Sequence, residues 1–227
     1  MAVKAVPFHS KAYWESRFDK ENHFEWLSTW SALHSHIEPY LDPNEPILHL
    51  GCGNSTMAFD VADSGYPYVV NVDYAQNVIQ HMKSITDTQR YPHISWRAAD
   101  CLQPIGKQLL EEDEAVVTDD NDATKNVEYT VVIDKSLIDC IACGDTDDLV
   151  HQKTLANNIM SVTRPQGVWI SLSFSSEREY IAQQGNWVWR REIAVPIKAD
   201  QSHDKPGAPE IFHWLTISRK VPSSSSS

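Results

Sequence analysis

The chain has 227 residues, 41% hydrophobic and 10% aromatic, a composition that builds a packed core and excludes a disordered or low-complexity protein. Set against a norm of about 150 residues per domain, it predicts one α/β domain over residues 1–220, with a flexible Ser-rich tail at 221–227. The 19 Lys and Arg against 31 Asp and Glu give a formal net charge of −12, which disfavours direct nucleic-acid binding and suits a basic protein partner or a small molecule.

No segment approaches the ~18 consecutive apolar residues of a membrane helix. Met1 to Ser10 lacks the apolar stretch of a signal peptide, so a cytoplasmic location is expected, as a monomer or weak dimer. The Cys140-x-x-Cys143 pair has no second pair at zinc-site spacing. It reads as two small residues on a buried helix face, and no metal site is expected.

A helical N-terminal segment is predicted over about 9–40. Ser10 caps a first helix carrying Tyr13, Trp14, Arg17 and Phe18, and a second helix runs from about Trp26 to Tyr40. The turn Asp42-Pro43-Asn44-Glu45-Pro46 ends it. From Ile47 the pattern alternates. Strands are predicted at Ile47–Leu50, Tyr68–Asp73, Ile94–Ala98, Tyr129–Asp134 and Val168–Phe174, with helices at about Ser55–Asp63, Gln76–Thr86 and Asp147–Thr163. Such alternation predicts a mostly parallel sheet covered by helices. Trp187–Pro196 and Glu210–Lys220 read as a closing strand pair with one member antiparallel, joined by a polar loop. Between strands three and four, Glu111–Glu128 holds eight acids against one lysine and reads as part of a solvated acidic insertion at about 107–128.

The chemistry concentrates after the first strand. Leu50-Gly51-Cys52-Gly53-Asn54 joins that strand to a helix, and glycine lets a ligand approach the backbone where no Cβ intervenes. The helix start adds N–H donors suited to a carboxylate. Asp73 lies 22 positions after Gly51 at the end of the second strand, where an acid accepts ribose hydroxyls. A dinucleotide fingerprint wants a third glycine, but position 56 is Thr56. The shorter turn therefore suits a mononucleoside cofactor with an amino-acid tail. Asp100, just past strand three, reads either as an acceptor for an adenine amino group or as a turn cap.

These residues carry a resemblance. The strings are Tyr13-Trp14-Glu15-Ser16-Arg17-Phe18, Trp26, Ile47-Leu48-His49-Leu50-Gly51-Cys52-Gly53-Asn54-Ser55, Asn71-Val72-Asp73-Tyr74 and Val132-Ile133-Asp134-Lys135-Ser136-Leu137-Ile138-Asp139. Through them the chain resembles the seven-β-strand (class I) S-adenosylmethionine-dependent methyltransferases, and more closely the elongation factor 1A lysine methyltransferases. The resemblance runs from Tyr13 to about Lys220, apart from the acidic insertion. It implies a Rossmann-like, seven-stranded, mostly parallel sheet of order 3-2-1-4-5-7-6 with helices on both faces. It implies S-adenosylmethionine as cofactor, with Trp14, Phe18, Trp26, Gly51, Gly53, Asn54, Asp73, Tyr74, Asp100 and Lys135 around it. Without the resemblance, Trp14 and Trp26 read as helix packing.

Expected activity is N-methylation of a lysine on a protein, elongation factor 1A being the leading substrate. The alternative is a small-molecule N- or O-methyltransferase on the same scaffold. Asp134 and Asp139 are candidates for taking the proton from the attacking amine. Relatives usually carry Gly-Thr-Leu-Asp after the Asp-Lys, where this chain has Ser136-Leu137-Ile138-Asp139. The Asn/Asp-Pro-Pro-Tyr motif of many amide and nucleobase methyltransferases is absent.

Overall fold

The computed structural model describes residues 6–114, 128–144, 148–177, 183–199 and 209–223. Most of the acidic insertion (115–127), most of the polar loop (200–208) and the last four serines of the tail lie outside them. One sheet organises the chain. Its strands are β1 Ile47–Leu50, β2 Val69–Asp73, β3 Ile94–Ala98, β4 Tyr129–Lys135, β5 Thr163–Ser173, β6 Gln183–Gln184, β7 Trp187–Lys198 and β8 Phe212–Pro222, in the order β3-β2-β1-β4-β5-β8-β7-β6. The seven long strands follow the expected order. The eighth strand is a correction to the expected count: two residues, Gln183 and Gln184, fold back on Val188 and Trp187 at the sheet edge. β1 to β5 pair in parallel, and β8 is antiparallel to both neighbours, as the closing pair requires.

The central strands are buried on both faces, which is why they read as apolar runs. In β1, Ile47 joins one core while Leu48 and Leu50 join the other. The helices are α1 Lys11–Phe18, α2 Trp30–Ile37, α3 Met57–Asp63, α4 Gln76–Ile85, α5 Ile105–Glu114, α6 Leu137–Ala142 and α7 Asp148–Ser161. Trp30, Leu33 and Ile37 of α2, Met57 and Val61 of α3, and Val78, Ile79 and Met82 of α4 pack on one face of the sheet. Ile105 and Leu109 of α5, Ile138 of α6, and Leu155 and Ile159 of α7 pack on the other. None of these helices is long and apolar enough to cross a membrane.

Three expectations need correcting. The second helix starts at Trp30 behind Thr29, because Leu27 takes a left-handed backbone (φ 62°) that no helix continues through. Trp26 is thus in a loop. The acidic insertion begins with helix α5, whose Ile105 and Leu109 are buried one turn apart, so its first part is packed, not solvated. The Cys140–Cys143 pair does not sit on a buried helix face: Cys140 is half-buried and Cys143, at the end of α6, is exposed. Among the described residues no cluster of three His, Cys, Asp or Glu could hold a metal ion.

Candidate active site

Five parallel strands ending at one edge bring their following residues together, and the strand order reverses between β1 and β4, where a crevice opens. All ten residues expected around the cofactor line this cleft of about 890 Å³, which includes its open mouth. Gly51 (φ 62°) and Gly53 (φ 50°) form its floor in a left-handed backbone that only glycine adopts without strain. A Cβ on Gly51 would stand 2.9 Å from Leu137 Cβ, and one on Gly53 would stand 3.3 Å from the Phe18 ring. The bare backbone is therefore required by its surroundings.

Asp73, 5% exposed, stands beside the turn. One carboxylate oxygen accepts the Gly53 N–H at 3.0 Å and the other accepts the Ala75 N–H at 2.9 Å. Burial raises its pKa to about 6, against the pull of those amide donors. A carboxylate has about four lone-pair positions, so two bonds leave capacity for hydroxyl donors. Asp100 caps a turn, one oxygen accepting the Leu102 N–H at 2.9 Å, and the residue lines the cleft.

The N-terminal segment forms the roof. Trp14 and Phe18, one helical turn apart on α1, stack at 5.6 Å, and Trp26 meets Trp14 edge-on at 5.8 Å. Phe8 closes on Trp14 and Trp26, and the Trp14 indole donates to the Phe8 carbonyl at 2.6 Å. The Arg17 guanidinium lies 5.0–5.5 Å from the ring centres of Trp14, Phe24 and Trp26 and is fixed by two bonds to Glu21.

Polar bonds tie roof to floor. Asn54 donates through Nδ2 to the Glu21 carbonyl at 2.7 Å, and Asn77 on α4 donates to the Glu15 carbonyl and the Asp19 carboxylate. At the end of β4, Lys135 Nζ donates to Glu25 Oε2 at 2.6 Å and to the Trp26 carbonyl at 3.1 Å, while Glu25 Oε1 accepts the Thr56 N–H at 2.7 Å. Burial works against the Glu25 carboxylate, but the Lys135 charge and its hydrogen bonds outweigh it and hold the group below the ordinary carboxylate range. Burial pulls the Lys135 ammonium down despite Glu25, because its side chain is only 3% exposed against 18% for its partner.

Asp134 and Asp139, the candidates for proton transfer, do not line the cleft. Asp134 is fully buried beneath it, accepting from the Trp169 indole at 2.8 Å and the Ile138 N–H at 3.3 Å. Asp139 accepts from the Ser173 hydroxyl at 2.6 Å and the Phe174 N–H at 3.1 Å. Both brace the ends of β4 and β5. Conversely, Glu25 and Phe8 shape the site without having stood out in the sequence, while Leu137 and Cys140, noted there only in the resemblance string and the Cys-x-x-Cys pair, also line the cleft. Only the nearness of Glu25 to Trp26 hinted at either of the first two.

A parallel sheet with a bare-backbone turn after its first strand and a buried acid at the end of its second defines a Rossmann-like protein that holds a nucleoside cofactor. Residues 41–205 match the family model described as a methyltransferase domain, and the chain belongs to this family of S-adenosylmethionine-dependent methyltransferases. Among curated relatives, methyltransferase srdJ of Neurospora crassa is 26% identical over 219 residues, covering 95% of this chain and 85% of that one. EEF1A lysine methyltransferase 4 of Bos taurus is 26% identical over 204 residues, 82% of this chain and 71% of its own. The mouse eEF1A lysine and N-terminal methyltransferase is 31% identical over 147 residues, 64% of this chain but only 18% of that much longer protein. Of solved structures, magnesium protoporphyrin IX methyltransferase from Synechocystis with bound S-adenosylmethionine superposes with a TM-score of 0.58 at 10% identity, over 96% of this chain and 99% of that one.

Proposed function

We propose that this chain N-methylates a lysine side chain on a protein, with elongation factor 1A or a similarly basic protein as substrate. The observation that carries the reading is the likeness, across 82% of the chain, to a relative named for lysine methylation of that factor. The net charge of −12 adds to it, since an acidic surface steers a basic target into place.

In this reading Gly51, Gly53 and Asn54 receive the amino-acid tail of the cofactor and Asp73 receives its ribose. Tyr74, Asp100 and Lys135 flank it, and Trp14, Phe18 and Trp26 cover it. When bound, S-adenosylmethionine supplies a methyl group already activated by its sulfonium, so the protein's work is alignment and exclusion of water. An attacking lysine must be neutral. With an ordinary pKa near 10.4, about one in a thousand is neutral at pH ~7.4, a handicap of roughly 4 kcal/mol. The apolar rim of Phe8, Phe24 and Trp26 lowers that handicap by disfavouring the ammonium. With Asp134 and Asp139 turned to structural bonds, the proton leaves to solvent.

The test is transfer of a radiolabelled methyl group from S-adenosylmethionine in a eukaryotic lysate and to purified elongation factor 1A, with the modified residue identified by mass spectrometry. A labelled protein band with the label on lysine is the expected result. Label confined to metabolites would replace this reading with a small-molecule methyltransferase.

A further inference from the structure

Among the described residues, three non-glycine positions hold a left-handed backbone: Leu27, Ser136 and Gln166. Such positions are uncommon outside glycine, and observed strain of this kind gathers at functional sites. The Gln166 carbonyl is used structurally, accepting from the Arg219 guanidinium at 2.6 Å in a turn inside β5. Ser136 (φ 68°, ψ 0°) is different. It is the first residue after β4, it lines the cleft, and it stands on the β4 side of the crevice. Gly51 and Asp100 follow β1 and β3, and Asp73 ends β2, on the other side.

Its backbone explains how the conformation is held. The Ser136 N–H donates to the Leu172 carbonyl at 2.9 Å, and its carbonyl accepts the Cys140 N–H at 3.1 Å. Leu137, the next residue, packs against the Gly51 turn, so the 136–137 corner and the glycine floor face each other at close range. None of these contacts uses the Ser136 side chain. Glycine would make every one of them without strain. The hydroxyl does not cap α6 either, and among the described residues no hydrogen bond engages it. A free hydroxyl keeps one donor and two acceptor positions for whatever occupies the cleft.

We infer that Ser136 is a positioning residue for the methyl acceptor, its hydroxyl accepting an N–H (or O–H) of the attacking group so that the lone pair faces the donor. The inference rests on the methyl-transfer reading of the cleft; because relatives usually carry glycine at this position, the hydroxyl belongs to this chain's own choice of acceptor, which enters past the end of β4, opposite the nucleoside. The strain at Ser136 is what retaining the hydroxyl costs.

Two variants test it. Ser136→Gly removes the strain and the hydroxyl, and Ser136→Ala removes the hydroxyl alone. Each is measured for melting temperature, calorimetric affinity for S-adenosylhomocysteine, and label transferred from S-adenosylmethionine into the protein and metabolite fractions of a eukaryotic lysate. The glycine variant is expected to melt roughly 2–4 °C above wild type. It should bind S-adenosylhomocysteine within about twofold of wild type and transfer label about tenfold more slowly or worse. The alanine variant should be equally slow without the gain in melting temperature. A more stable enzyme that binds cofactor normally and turns over poorly cannot result from a merely structural role.

Transfer by Ser136→Gly within about twofold of wild type overturns the inference, as does a parallel loss of S-adenosylhomocysteine affinity, which would give the hydroxyl to the cofactor instead. If Ser136→Ala fails to fold, the glycine variant decides alone. Wild-type label in metabolites only defeats the protein-lysine reading and leaves the comparison between variants intact. No label in either fraction overturns both.

Discussion

Removing both members of the Lys135–Glu25 pair should cost less than the sum of removing each alone. The charges approach to 2.6 Å, and at an effective dielectric of ~20 their attraction is about 6 kcal/mol. Desolvating an ammonium whose side chain is 3% exposed returns several kcal/mol of that, so the intact pair is near neutral in net stability. A stranded partner has no such compensation. Breaking a buried pair costs about 3–5 kcal/mol, and because Glu25 is 18% exposed and can take up water we expect about 2–4 kcal/mol for Lys135→Met or Glu25→Gln. The double variant should lose at least ~2 kcal/mol less than the sum of the single losses. Urea unfolding of all four proteins, with unchanged slopes, measures this coupling. If the double variant's loss equals the sum of the single losses to within ~0.5 kcal/mol, the two side chains do not depend on each other and the latch between roof and floor is wrong.

Asp73→Ala should weaken S-adenosylhomocysteine binding by at least ~1.5 kcal/mol, or about tenfold, by calorimetry, because charge-assisted hydrogen bonds are lost; unchanged affinity would remove Asp73 from the site. Gly51→Ala puts a Cβ 2.9 Å from Leu137 in a left-handed backbone, and should lower the melting temperature by roughly 4–8 °C, as ~2 kcal/mol would. A melting curve identical to wild type would refute the close approach. Burial, opposed by hydrogen bonds that include the Trp169 indole, holds Asp134 at about pKa 6, above its unfolded value near 3.9. The folded state thus keeps a proton that the unfolded state has released between about pH 4 and 6, and stability contributed by this group falls as pH rises through that window. Relative to wild type, Asp134→Asn should therefore gain on the order of 2–3 kcal/mol between pH 4 and pH 7 in urea midpoints. A difference independent of pH would show that Asp134 ionises normally.

The parts of the site legible in the sequence are those built by local rules. Gly51 and Gly53 sit between a strand and a helix, and Asp73 ends the next strand, so parallel topology alone brings them to one edge. Only its nearness to Trp26 marked Glu25, because its partner lies 110 positions away and no periodicity links a loop to a strand end. Trp26 misled: its spacing from Trp30 and Leu33 fits a helix face, yet Leu27 breaks the helix and leaves the indole over the cleft. In the acidic run, charge density masked the i, i+4 pair Ile105 and Leu109 that builds α5. Asp134 and Asp139 were candidates as carboxylates in the string around Lys135, but alternation along β4 and the start of α6 buries them behind it.

The roof has a kinetic consequence. Residues Glu15, Glu21 and Glu25 are fastened to Asn77, Asn54 and Lys135 by hydrogen bonds, while the sheet beneath is held by apolar packing. Fastenings of the first kind can part while packing of the second kind endures. If the cofactor sits between these two layers, as proposed, loosening those fastenings is expected to speed the exchange of spent donor, whatever molecule receives the methyl group.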